Sequence, residues 1–126
     1  MAGVSNYQKD IILDDLFSGS VYAGFSLADP LDDESGLDEP VGGDYARVEI
    51  APADWAAAAS GSKANANAIT FAAPTGNWGT VTHLCLFDAA VAGNLLYHCE
   101  LVYPKEVLNG GTAPEFAAGD LIVTID

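Results

Sequence analysis

Residues 77–101, NWGTVTHLCLFDAAVAGNLLYHCEL, consist of two apolar runs around a short break. Positions 81–87 are apolar almost throughout, and 95–102 are the same with only His98 and Glu100 interrupting. Between them, residues 88–94 end in Gly93-Asn94, a pair that turns favour because both residues tolerate left-handed backbone. A strand apolar on both faces is normally covered on both sides. The pattern therefore predicts a long hairpin at the centre of a sandwich or barrel.

Upstream, Ser5-Asn-Tyr-Gln8 has the form of a capping box, in which Ser5 caps and Gln8 reaches back. Ile12, Leu13, Leu16 and Phe17 follow at helical spacing on one face, Asp10, Asp14 and Asp15 lie mostly off it, and Gly19 is a stop signal. Residues 6–17 are thus predicted to be an amphipathic helix. At that length it is marginal alone and must dock on the β-core or on a partner. Residues 21–28 alternate, with Val21, Ala23, Phe25 and Leu27 opposite Tyr22, Gly24 and Ser26, as in a half-buried strand. Residues 45–51 alternate too, and Arg47 among them is expected to pair with a neighbouring acid.

Residues 29–44 hold seven of the 18 acids, together with two prolines and three glycines. Their spacing lacks the calcium-loop pattern, so they read as a solvated loop. Residues 52–66 read as irregular, with Trp55 as a buried anchor. Residues 68–71 suggest a short strand, 103–107 an edge strand because of Pro104, and 121–125 a last alternating strand; 109–112 form a turn. The fold class expected is all-β: a jelly-roll-like antiparallel β-sandwich of about seven or eight strands with one short N-terminal helix. Residues 1–20 would be an amphipathic arm and 21–126 a single β-sandwich domain.

Composition narrows the function. The chain has 126 residues, enough for one core. Eighteen acids against four bases give a net charge of −14, which repels phosphate backbones and anionic lipid. Neither nucleic acid nor a membrane is expected as a partner. The N-terminus lacks the basic start and apolar run of a signal peptide, and no stretch approaches the roughly 20 apolar residues of a membrane span. A cytosol-like site of synthesis is expected, with Cys85 and Cys99 as buried thiols.

His83, Cys85, His98 and Cys99 all lie on the hairpin. Strands pairing about Val91 would set His83 opposite Cys99 and Cys85 opposite Tyr97, with His98 on the other face. Three ligands on one face of a hairpin are not a usual zinc arrangement, and the Cys-x-x-Cys loops that build such sites are missing. Buried histidines bonded to backbone, Tyr or Thr are the simpler expectation, and a Cys85–Cys99 disulfide would need direct pairing of the two. No nucleophile-elbow, P-loop or Rossmann signature is present. No catalytic residue, metal or cofactor is expected.

Several segments together carry a resemblance. Ala68-Ile-Thr-Phe71, Trp78-Gly-Thr-Val-Thr-His83, Phe87-Asp-Ala89, Gly93-Asn-Leu-Leu-Tyr97 and Phe116-Ala-Ala-Gly-Asp120 resemble a family of small bacteriophage virion proteins. Its members are usually labelled tail-fibre or head decoration (cement) proteins. The helix ending in Leu16, Phe17 and Gly19, the strand from Val21, and Gly42-Gly43 with Tyr45 to Val48 are similar as well. The resemblance implies a non-enzymatic structural subunit of the virion, assembled in the host cytoplasm and acting as a symmetric oligomer, a homotrimer.

Two roles follow. In the first, the chain is a cement protein that binds the major capsid protein and stabilises the capsid exterior; the absence of shaft repeats favours this role. In the second, it is a tail-fibre component that binds a receptor or glycan, with Trp55, Trp78 and Tyr22 as stacking candidates. The residues expected to meet a partner are Tyr7, Ile11, Ile12, Leu16 and Phe17 on the helix, and Trp55.

Overall fold

The computed structural model describes residues 3–125. The described residues form one α-helix and eight strands: α1 (Asn6–Leu16), β1 (Val21–Ser26), β2 (Val48–Ile50), β3 (Ser62–Ala64), β4 (Ile69–Thr70), β5 (Gly79–Phe87), β6 (Leu95–Val107), β7 (Glu115–Phe116) and β8 (Ile122–Thr124). A 3-10 turn at Pro52–Asp54 precedes Trp55. One sheet has the order β2-β1-β5-β6, while β3 with β8 and β4 with β7 form two-stranded ladders. The β1/β5, β5/β6 and β3/β8 registers are antiparallel. The chain is all-β with one N-terminal helix, as its periodicities predict.

By internal contacts the chain groups into two compact units. The larger comprises Val21–Glu49 and Thr70–Pro114. β5 is its spine: Val81, Leu84, Cys85, Leu86 and Phe87 are all buried. Each such side chain contributes about 1.5–3 kcal/mol through removal of apolar surface from water. Phe25 of β1 stacks on Phe71, ring centroids 4.4 Å apart.

β1 is not half-buried. Ala23, Gly24, Phe25 and Ser26 are all buried, so both of its faces are covered. The reason lies in Tyr45 and Arg47, which lie over the Gly24 side. A Cβ at Gly24 would stand 2.6 Å from Tyr45 Oη and 3.2 Å from the Phe87 ring, so only glycine fits. The turn at Gly42-Gly43 has φ of +80° and +61°. There Trp78 Nε1 donates to the Gly43 carbonyl at 2.8 Å, and its ring meets Tyr45 edge-on. Trp78 is therefore a core residue that fixes this turn.

β6 departs most from the sequence reading. It is the outer strand of the four, not a covered one, and Leu96, Val102 and Tyr103 are exposed. It also runs unbroken through Pro104 to Val107, so residues 103–107 are not a separate strand. Proline is tolerated because an edge residue can leave its N–H side unpaired. The ladder slips twice. Leu96 has no partner on β5, and residues 101–104 together oppose Thr82 alone, since Val81 pairs with Lys105 and His83 with Glu100.

The other unit comprises Met1–Ser20, Ile50–Ile69 and Glu115–Asp126. Ser5 caps α1 by accepting from the Gln8 N–H at 3.2 Å, as the capping pattern predicts. β8 alternates as expected, with Leu121 and Val123 inward and Ile122 outward. Asn65 holds this unit together: Nδ2 donates to the carbonyls of Asn67 and Ala117, and Oδ1 accepts from the Leu121 N–H at 2.9 Å. A buried amide satisfied at three points rigidifies its surroundings.

Candidate partner-binding surfaces

α1 docks through fewer residues than its periodicity suggests. Leu13 and Phe17 are buried, and Phe17 lies against Trp55 with ring centroids 4.5 Å apart. Leu16 is exposed and Ile12 half-buried, contrary to the expected four-residue face. The cause is polar. Asp10 accepts from the Gly61 N–H at 2.7 Å, and Asp14 accepts from the Ala58 N–H and from Lys63 Nζ at 2.6 Å. These acids were expected off the packing face, yet they anchor it, and they roll the helix so that Leu16 turns outward.

The six expected contact residues are thereby divided. Phe17 and Trp55 pack on each other in the interior. Tyr7 and Ile11 are exposed one turn apart on one strip of the helix; Ile12 and Leu16 form a second strip. Val4, just before the helix cap, is exposed as well. The proposed sugar-stacking rings fare no better: Trp55 and Trp78 are both buried, and Tyr22 is half-buried.

The Lys63–Asp14 pair makes a pH prediction. The hydrogen bond from Lys63, then that from the Ala58 N–H, holds the Asp14 carboxyl below its ordinary value of 3.8. A lowered folded-state pKa gives stability that is full above the unfolded value and is lost as pH falls through the folded one. α1 is expected to loosen as the pH drops below about 4, seen as a red shift of Trp55 emission. In a Lys63→Met variant this acid-dependent step should shrink; an unchanged acid profile would show that the pair does not hold the helix.

In the larger unit the acidic segment is exposed but well tied. Asp29 and Asp33 accept from the N–H groups of Leu31 and Ser35, at 3.0 Å each. Glu34 accepts from the Leu95 N–H at the start of β6, and His98 Nε2 meets Asp32 at 2.9 Å. The bonds from Ser35 hold the Asp33 carboxyl below its usual range. Glu39 takes two hydrogen bonds from Arg47, which also donates through Nη1 to the carbonyls of Ala89 and Ala92 and lies 3.5 Å over the Phe87 ring. The expected ion pair of Arg47 is therefore real, and it also clamps the 88–94 turn. Tyr45 adds to it, accepting from Phe25 N–H and donating to Glu39. Burial and that carboxylate push the Tyr45 phenol far above its ordinary value.

The observed register rearranges the histidines and cysteines. Cys85 faces His98 and His83 faces Glu100, while Cys99 faces Leu84 on the opposite side of the sheet. His98 therefore shares a face with His83 and Cys85, and the two cysteines are free and on opposite faces. His98 is also partly exposed rather than buried. Thr82 Oγ1 lies 2.8 Å from His83 Nδ1, in hydrogen-bond contact, and 3.3 Å from the Ser26 carbonyl. This is the Thr-bonded core histidine expected. Desolvation pushes the Cys85 thiol up to about 12 and raises that of Cys99, so neither is a ready nucleophile. No group of three His, Cys, Asp or Glu among the described residues is arranged to hold a metal ion.

One exposed group lay outside the sequence expectations. On β6, Val102 is 86% and Tyr103 84% exposed, with Glu100 and Lys105 exposed on either side. Pro104, Lys105 and Glu106 were the available signal, since proline and charge mark an edge.

Compared with known protein families, residues 3–124 match the family described as podophage GP4 fiber I protein gp80. No curated protein matches the chain.

Proposed function

Since the chain belongs to the family of the podophage GP4 fiber I protein gp80, we propose that it is a non-enzymatic structural subunit of a phage virion, carried in a fibre. The single observation behind this reading is a family match spanning residues 3–124, which takes in both compact units. The family is named for a fibre, and this favours the second of the two expected roles over capsid decoration. With no shaft repeat of its own, the chain suits a joint or a terminal knob of a fibre better than its rod.

The side chains agree with a building block. Arg47 is spent on Glu39 and two carbonyls, His83 on Thr82, and Cys85 is held as a neutral thiol. Two buried tryptophans serve packing, which shifts any receptor contact away from aromatic stacking by these rings. Quantitative mass spectrometry of purified virions, separated into heads and tails, tests the reading. The chain should follow the tail fraction. Recovery with heads, at the copy number of a capsid lattice, would return the account to a cement protein.

A further inference from the structure

A cavity of about 320 Å³ opens in the larger unit, lined by Asp29, His83, His98, Cys99 and Glu100. The strand register explains the grouping. His83 pairs with Glu100 and Cys85 with His98, so both histidines and Glu100 project from one face of the sheet. Asp29 joins them from the acidic segment that follows β1.

His83 is the unusual member. It is only 8% exposed, and its Nδ1 is engaged by Thr82 Oγ1. Its other ring nitrogen, Nε2, has no hydrogen-bond partner among the described residues. The one fully enclosed polar side-chain atom left without a partner there is Trp55 Nε1, so His83 Nε2 is open to the cavity. His98 Nε2, in contrast, is held by Asp32 and forms a wall. The carboxylates of Glu100 and Asp29 make no ion pair among the described residues. The cavity thus offers two carboxylates and one imidazole nitrogen, with no cation to meet them.

Carboxylates only accept hydrogen bonds, and an imidazole nitrogen can accept. These groups are not arranged to close on a metal ion. They suit a larger ligand that brings several donors and a positive charge. A sugar hydroxyl would supply donors but leave the charge unmet. An ammonium group supplies three donors and the charge together. We propose that this cavity binds a primary alkylammonium group, with Glu100 and Asp29 as its counter-charges and His83 Nε2 as the neutral acceptor. The site is a property of the purified chain and does not depend on the fibre reading.

Titration of the full chain with n-pentylammonium at low salt, followed by backbone amide NMR, tests this. Saturable shifts should centre on residues 29–33 and 98–100, with an affinity on the order of millimolar, as suits so small a ligand. The uncharged n-pentanol should cause no such shifts. Glu100→Gln and Asp29→Asn should each weaken binding about tenfold by removing a charged acceptor. Both positions are exposed, so far-ultraviolet circular dichroism should be unchanged. Glu106→Gln makes the same charge change on β6 outside the cavity and should leave binding intact. Two further probes separate the sources of such a group. Tighter binding of a capped Gly-Lys-Gly peptide assigns the site to a lysine of a partner protein, and tighter binding of cadaverine assigns it to a free amine. Equal shifts with n-pentanol, no saturation, or a Glu106→Gln variant weakened as much as Glu100→Gln would each overturn the proposal.

Discussion

Arg47→Ala is expected to lower the unfolding free energy by about 3–5 kcal/mol, read by urea denaturation. The guanidinium side chain is only 6% exposed and is held from three directions. It pairs with Glu39, caps the carbonyls of Ala89 and Ala92, and covers the Phe87 ring. Alanine would leave Glu39 short of its cation in a largely buried place, with two turn carbonyls unpaired. An uncompensated buried charge costs far more than an exposed pair contributes. Lysine should recover only part of the loss, since a single ammonium cannot meet a carboxylate and two carbonyls in fixed directions. A change below about 1 kcal/mol would mean that water replaces these partners freely, as at a surface pair.

Phe17→Ala is expected to cost about 3–4 kcal/mol, and to do so by releasing α1. The ring fills the space against Trp55, and Leu13 is the other buried apolar residue of the helix end. An 11-residue helix is marginal in isolation, so losing one of two apolar anchors shifts it toward the undocked state. Amide exchange across α1 should accelerate strongly, and Trp55 emission should shift to the red. Leu16→Ala is the control. Its side chain is exposed, so the change should stay within about 0.5 kcal/mol. Equal effects of the two substitutions would contradict the way the helix is seen to dock.

That contrast shows where the sequence was readable. Ser5, Gln8 and Gly19 announce the helix, because caps and stops are local chemistry. Which apolar residues dock is not local. It was decided by Asp10 and Asp14, whose partners lie at Gly61, Ala58 and Lys63. The buried course of β5 was equally plain from its unbroken apolar run. β6 has nearly the same composition, but being apolar on both faces does not distinguish a covered strand from an exposed edge.

The register was missed for a related reason. Pairing about Val91 holds at Phe87 and Leu95, then slips by one residue past the unpaired Leu96. That single slip exchanges Cys99 for His98 on the face shared with Cys85. The acidic stretch 29–44 reads as solvated from composition, and its exposure agrees. What composition hides is that carboxylates there accept from backbone N–H groups and so give the loop a fixed course. Tyr7, Ile11 and Leu16 are exposed apolar residues of a short helix, which rarely uses all its apolar side chains in docking. Val102 was read as part of the covered run, whereas Tyr103 already fell in the stretch 103–107 that Pro104 marks as an edge.

Immunogold labelling of intact virions, with antibody raised against the purified chain, tests the central claim most directly. A fibre subunit places gold on the appendages at the tail end and leaves the capsid bare. Gold spread evenly over the capsid surface, or unlabelled virions, would contradict the account.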